Sequence, residues 1–273
     1  MLLRIFDVAH GFCALAIADT GNIMLIDCGH NDEAGFYPAD YLANSGFTGI
    51  DRFFVLNFDE DHLSGLPRLR QMNYRIPIRI LHKNVSITDR QLRQLKEEAG
   101  GLGPGMESLL AMSGNYNQAV TNPPDLGLVN YEVFCNNYPI FEDTNNLSLV
   151  LFLDYPGLSI VFPGDLELAG WEALLQNASF RQHLSRVNVF VASHHGRESG
   201  YCKKVFEYCK PKIVIVSDEE IKFDTQEEVD YGVHAEGVAW TTGGVRRVLT
   251  TRSDGMIWFE AEALGKTWVK TSR

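Results

Sequence analysis

Four polar residues, Asn57, Asp59, Asp61 and His62, crowd into six positions directly after the apolar run Phe53-Phe54-Val55-Leu56. Two further sets follow apolar runs in the same way: Asp165 after the run ending at Phe162, and His194-His195 after the run ending at Ala192. Carboxylate oxygens and neutral imidazole nitrogens together suit zinc, manganese or iron. No cysteine stands beside them, which argues against a closed structural zinc site. One or two divalent ions held by such groups would lower the pKa of bound water from ~15.7 towards ~7 and polarise a phosphoryl or carbonyl oxygen. Hydrolysis by metal-bound hydroxide is the chemistry that these residue types point to. Asn57 is the odd member, because it offers only a neutral carbonyl oxygen.

Three polar sets placed after three apolar runs need a frame that brings strand ends together. Strand ends along one sheet edge converge on a shared crevice, where loops present ligands from a rigid base. Short apolar runs at Leu2 to Asp7, Cys13 to Ala18 and Ile23 to Asp27 predict the first strands, with hairpin chemistry at Thr20-Gly21-Asn22. A helix is expected near Tyr37 to Asn44, another over Leu63 to Met72 with Pro67 in its first turn, and a strand over Pro77 to Leu81. An exposed helix over Asp89 to Ala99 leads to the loop Gly100 to Gly105. A lid or insertion, if the chain has one, is expected at 84–128.

The second half repeats the rhythm. Strands are predicted at Val129 to Phe134, Ser148 to Asp154, Leu158 to Phe162, Val187 to Ala192 and Lys212 to Val216. Helices are predicted at Glu167 to Gln176, Ala178 to Ser185 and Cys202 to Cys209. Val245 to Thr250 with Met256 to Ala261 reads as a closing strand pair. No polar linker divides the chain, so the pattern gives one α/β (α+β) domain over 1–273 with two similar halves.

Bulk properties narrow the partners. The 273 residues carry a net charge of −11, with 24 Lys+Arg against 35 Asp+Glu, and 45% are hydrophobic. A general binder of duplex nucleic acid presents a basic face, so a small phosphorylated molecule or a short nucleic acid is the expected partner. No run approaches the ~18 apolar residues of a membrane span, so no membrane partner is expected. Five cysteines without a C-x-x-C pair fit a reducing compartment, and a cytoplasmic location is expected.

The motifs resemble the metallo-β-lactamase fold superfamily, in the branch of the soluble domain of ComEC-type competence proteins. FDVAHGFCALAIADTGNIMLIDCG is similar to that branch's first hairpins, ending in Asp-x-Gly at Asp27 and Gly29. NNLSLVLFLDYPGLSIVFPGDLE from Asn145 is similar to its central hairpin with the bridging aspartate. ASHHGRESG resembles its paired histidines, and YGVHAEG from Tyr231 resembles, more loosely, its His-bearing C-terminal turn. The resemblance implies a four-layer αββα sandwich with one or two divalent metals, zinc or manganese first and iron or magnesium next. It implies Asp61, His62, Asp165 and His195 as metal ligands, with Asp61 and Asp165 orienting the hydroxide and His194 facing substrate. Asn57 and Asp59 stand where the superfamily has two histidines.

Each residue also has a plainer reading. Asp59 is either a hard oxygen ligand or a hydrogen-bond acceptor behind the ligands, and Asn57 is read behind them too. His10, after the first strand, and His30, after Asp27-Cys28-Gly29, either restore ligation and substrate contact or only satisfy backbone groups. His234 lines the pocket or caps a turn, and Asp27 orders the ligand loop. His82 and His183 read as surface residues.

The leading expectation is a phosphoesterase or phosphodiesterase acting on a nucleotide or short nucleic acid. The alternatives are an ester, lactone or amide hydrolase on the same frame, or a catalytically impaired module that binds a ligand or partner.

Overall fold

A computed structural model describes residues 1–219 and 230–273. The chain opens with β1 (Leu2–Ile5), β2 (Ala14–Ile17) and β3 (Ile23–Ile26), which form an antiparallel meander. After α1 (Pro38–Asn44), β4 (Arg52–Phe54) pairs parallel to β3. Two short helices follow, α2 (Glu60–Leu63) and α3 (Leu66–Gln71), then β5 (Leu81–His82), α4 (Asp89–Glu98) and α5 (Pro104–Ser113). Strands β6 (Asn130–Cys135), β7 (Leu149–Tyr155) and β8 (Leu158–Phe162) make a second meander. Next come α6 (Leu168–Leu174), α7 (Ala178–Leu184), β9 (Val189–Val191) and β10 (Ile213–Val216). A small ribbon of β11 (Val238–Ala239) and β12 (Val245–Arg246) precedes β13 (Val248–Thr250), α8 (Thr251–Asp254), β14 (Ile257–Ala261) and β15 (Thr267–Thr271).

These strands build two sheets, in the orders β15-β14-β1-β2-β3-β4-β5 and β13-β10-β9-β8-β7-β6. Side-chain alternation explains how they stack. In β7, Leu149, Leu151 and Leu153 meet Ala14, Ala16, Met24, Ile26 and Phe54 from the first sheet. The intervening Val150 and Phe152 turn the other way, onto Trp171 of α6 and Phe180 of α7. On the far side, Leu15, Ile23, Leu25 and Phe53 pack under Leu42 of α1, Leu63 of α2, Leu69 of α3, and Met106 and Leu109 of α5. Strands covered on both faces read as unbroken apolar runs, which is the pattern seen here. The result is a four-layer αββα sandwich, as the motifs implied.

Several expected elements differ in detail. The helix expected over Leu63 to Met72 is split in two, because Gly65 passes against Cys28 and donates its N–H to the Cys28 carbonyl at 2.7 Å. A Cβ at Gly65 would sit 2.7 Å from that oxygen. Pro67 does fall in the first turn of α3. The strand expected at Pro77 to Leu81 contracts to β5, with Ile78 making a lone bridge to Ile50. The closing pair does not form. Instead, β13 lies beside β10 in the second sheet and β14 beside β1 in the first, with α8 between them in sequence.

His82 is not a surface residue. Its ring stacks on Phe54 at 4.4 Å, and Arg52 Nη1 lies 3.2 Å from its Nε2. His183 is likewise half-buried, with its ring 5.3 Å from that of Phe152. Among the described residues no helix is long and apolar enough to cross a membrane.

Candidate metal centre

Asp61 and His62 sit in the first turn of α2, the element that follows β4 in the chain. Their position is fixed by backbone squeezed from two sides. A Cβ at Gly11 would lie 2.3 Å from the Asp61 carbonyl oxygen, and one at Gly29 would lie 2.7 Å from the same atom. Gly11 also has φ +126°, a conformation that side chains disfavour. Glu60 next door accepts from the N–H of Gly105 at 2.8 and 3.0 Å, which anchors α5 on α2.

Asp165 follows β8, and its N–H donates to Ser148 Oγ at 3.1 Å. His194 and His195 follow β9 with φ of 50° and 55°, two successive left-handed residues. Such backbone is costly for residues with a Cβ and persists where its surroundings enforce it. Here Ser193 Oγ donates to the Leu166 carbonyl at 2.5 Å and His194 N–H to the Gly164 carbonyl at 3.2 Å, tying this turn to the loop that carries Asp165.

The three segments converge. Asp61, His62, Asp165 and His195 each offer one donor atom, and all four atoms lie within 4.8 Å of one another. His62 Nε2 is 3.0 Å from Asp165 Oδ1, His195 Nε2 is 3.0 Å from Asp61 Oδ2, and His195 Nε2 is 3.6 Å from Asp165 Oδ1. A tetrahedral shell with bonds of about 2.1 Å spaces neighbouring ligand atoms ~3.4 Å apart, so these spacings fit one divalent ion without large movement. Two carboxylates and two imidazoles also fit such an ion chemically.

The imidazoles are aimed from behind. Asp27, fully buried with φ 53°, accepts from His62 Nδ1 at 2.7 Å and from the Leu56 N–H at 2.7 Å. His195 Nδ1 donates to the Ser217 carbonyl at 3.0 Å. Both rings therefore direct Nε2 at the carboxylates, the arrangement by which a rear acceptor sets tautomer and direction.

Charge coupling within the group is strong. Burial opposes the imidazolium of His62, yet Asp165, Asp27 and Asp61 outweigh it and hold the pKa well above the ordinary range. His195 is raised against its burial by Asp165 and Asp61. Burial would raise Asp61, but His62, His195 and His10 hold it far below the usual carboxylate range. The carboxylates thus stabilise positive charge placed among them.

The remaining expected residues are distributed around this group. His10 Nε2 lies 3.5 Å from Asp61 Oδ2, and its ring is 4.5 Å from that of His195. Burial and the neighbouring His195 depress its pKa to about 4, so its imidazole is neutral. His30 shares an open groove with His10 and Asp61, but its Nε2 faces Asp32 at 3.2 Å and its ring stacks on Tyr37. His194 stands beside the four, with Nε2 accepting from Arg197 Nη1 at 3.1 Å and Nδ1 facing Glu167 Oε1 at 3.3 Å.

Asn57 is fully buried. It accepts from the Asp59 N–H at 2.7 Å and donates to Ser148 Oγ at 3.1 Å and Asn145 Oδ1 at 3.3 Å. Asp59 is apart from the four: its carboxylate pairs with Lys96 and accepts from Thr144 Oγ1 at 2.8 Å. His234 bonds Tyr201 at 2.6 Å and stacks on Phe206 at 4.0 Å, in the helical layer of the second sheet.

Sequence reasoning missed Arg197. It directly follows the motif glycine Gly196, and its Nη2 donates to His10 Nε2 at 3.2 Å, so the guanidinium bridges His10 and His194. The one signal available was a basic residue in the turn that carries both histidines.

No protein-family model matches the sequence, and no curated protein matches it. Solved structures do match in shape. The metallo-β-lactamase fold protein YhfI from Bacillus subtilis has a TM-score of 0.51 at 11% identity, with 98% of this chain and 100% of that one covered. Igni18, a metallo hydrolase from Ignicoccus hospitalis, has a TM-score of 0.49 at 14% identity over 96% of this chain and 100% of that one. A diphosphatase from the PhnP family has a TM-score of 0.47 at 10% identity, covering 99% of both chains. At these identities the likeness concerns architecture alone. The chain has the metallo-β-lactamase fold.

Proposed function

We propose that this chain is a metal-dependent hydrolase of small phosphoesters or phosphodiesters, such as a nucleotide or a short nucleic acid. The observation that carries the reading is the gathering of Asp61, His62, Asp165 and His195 from three distant segments, each with a donor atom within 4.8 Å of the others. A zinc or manganese ion held there would supply Lewis acidity and lower the pKa of a water towards ~7. The chain's own residues do the rest. Asp61 and Asp165 orient the attacking oxygen, and Asp27 and the Ser217 carbonyl keep both imidazoles directed inward.

Arg197 favours a phosphoryl substrate over a neutral ester. Its guanidinium lies between His10 and His194, and His10 in turn touches Asp61. A planar cationic fork next to a reacting centre binds phosphate oxygens in preference to an uncharged carbonyl. The groove beyond, lined by Asp32, Glu33, Glu60 and Asp61, is acidic and repels a long phosphate chain, which favours a small substrate. The resemblance of the paired-histidine and aspartate motifs to ComEC-type domains supports the same substrate class.

The test compares bis-p-nitrophenyl phosphate with p-nitrophenyl acetate on manganese- or zinc-loaded protein, with Asp165→Ala as control. The reading expects turnover of the phosphodiester that the substitution abolishes. Preference for the acetate, or activity that survives Asp165→Ala, contradicts it.

A further inference from the structure

Asp59 lies at the start of α2, two residues before Asp61, and its carboxylate is closed off by a cation from elsewhere in the chain. That cation is the Lys96 ammonium, delivered by the last turn of α4 with a side chain only 14% exposed. Around Asp59 stand further oxygen atoms: Thr144 Oγ1 at 2.8 Å, and Asn57 Oδ1, which accepts the Asp59 N–H at 2.7 Å. A carboxylate with a hydroxyl oxygen beside it offers hard oxygen donors of the kind a divalent cation takes.

This patch is joined to the four-residue group by hydrogen bonds. Asn57 and the Asp165 N–H both donate to Ser148 Oγ, each at 3.1 Å. Asn57 also reaches Asn145, whose Nδ2 donates to Glu167 Oε1 at 3.2 Å, and Glu167 faces His194. Lys96 therefore sets its charge at one end of a polar belt that runs from Asp59 to His194.

Resting on the reading of the four-residue group as a metal centre, we propose that the Lys96 ammonium takes the place of a second cation, so that this centre binds one divalent ion. Asn57 supports this assignment, because its amide is committed to Asp59, Ser148 and Asn145 and its oxygen already holds a backbone N–H. The Asp59 charge is balanced by the lysine, and a divalent ion entering there would have to displace an ammonium from a half-buried pair.

The experiment counts metal by equilibrium dialysis against manganese followed by elemental analysis, with thermal melts on the same samples. Wild type is expected to bind one equivalent. Lys96→Met is expected to melt lower than wild type, to take up a second, weaker equivalent at millimolar manganese, and to recover melting temperature as it does so. Lys96→Arg should stay at one, and Lys96→Met combined with Asp59→Asn should return to one.

Two equivalents in wild type would overturn this inference alone and leave the hydrolase reading standing. Lys96→Met that stays at one would also overturn it. Wild type that binds no ion would refute both. Should Lys96→Met fail to fold, the wild-type count of one against two still decides.

Discussion

Asp27 and His62 face each other at 2.7 Å, both fully out of solvent, with the carboxylate also held by the Leu56 N–H. This pair fixes which nitrogen of His62 points at Asp165, and so whether the imidazole can act as a ligand. An amide at position 27 keeps the size but can present an N–H to the ring and reverse its tautomer. Asp27→Asn is expected to weaken manganese or zinc binding on the order of 10- to 100-fold, measured by calorimetric titration. Unchanged affinity in a folded variant would mean that the pair has no part in ligation.

Asn57 acts as a structural hub. Its side chain joins the start of α2 to the loop that leads into β7 through Asp59, Ser148 and Asn145. Truncation would leave the half-buried Asp59 N–H without its acceptor and take from Ser148 Oγ one of its two donors, the other being the Asp165 N–H. Asn57→Ala is expected to cost on the order of 2–3 kcal/mol in urea unfolding. A loss of a few tenths of a kcal/mol would show that water replaces the amide.

How much of this was legible beforehand follows from the range of the interactions. β8 appears over the expected residues, and β7 is shifted by one, because continuous apolar runs bounded by turns mark strands covered on both faces. α4 was legible too, and Thr88 and Gln91 cap it reciprocally. The gathering of Asp61, His62, Asp165 and His195 could be anticipated because each lies in the segment that comes shortly after a strand, β4, β8 or β9.

What escaped depends on long-range contacts. Lys96 meets Asp59 across 37 positions, and Arg197 meets His10 across 187, with no periodic signal for either. β15 was missed because its exposed edge position leaves an alternating, weakly apolar run, and α5 because Gly and Pro at its start read as loop. The closing strand pair was misjudged because neighbours in sequence here belong to different sheets.

Arg197 provides a test of substrate charge. Arg197→Met keeps much of the stem while removing the guanidinium that bridges His10 and His194. The expected outcome is a drop of roughly 10²-fold in kcat/KM for bis-p-nitrophenyl phosphate, with p-nitrophenyl acetate little affected. Equal losses on both substrates would point to disturbance of the fold or the ligands instead of phosphate recognition.

His82 predicts an acid-sensitive contribution to stability. Burial and the Arg52 guanidinium push its pKa down from 6.5 to about 4. Between those values the unfolded chain binds a proton that the folded chain refuses, so stability from this residue falls as pH drops from 6.5 towards 4. His82→Gln retains an acceptor for Arg52 and removes the titration. Over that window, in chelator-treated protein, the variant should lose on the order of 2 kcal/mol less than wild type in denaturant midpoints converted to free energy. Parallel pH profiles would contradict the assignment.

The central claim is that Asp61, His62, Asp165 and His195 together hold a divalent ion. Anomalous diffraction at the metal edge, from crystals equilibrated with zinc or manganese, tests it most directly. The account predicts a peak about 2.0–2.3 Å from a donor atom of each of the four side chains. A peak elsewhere, or none among these side chains at saturating metal, would contradict it.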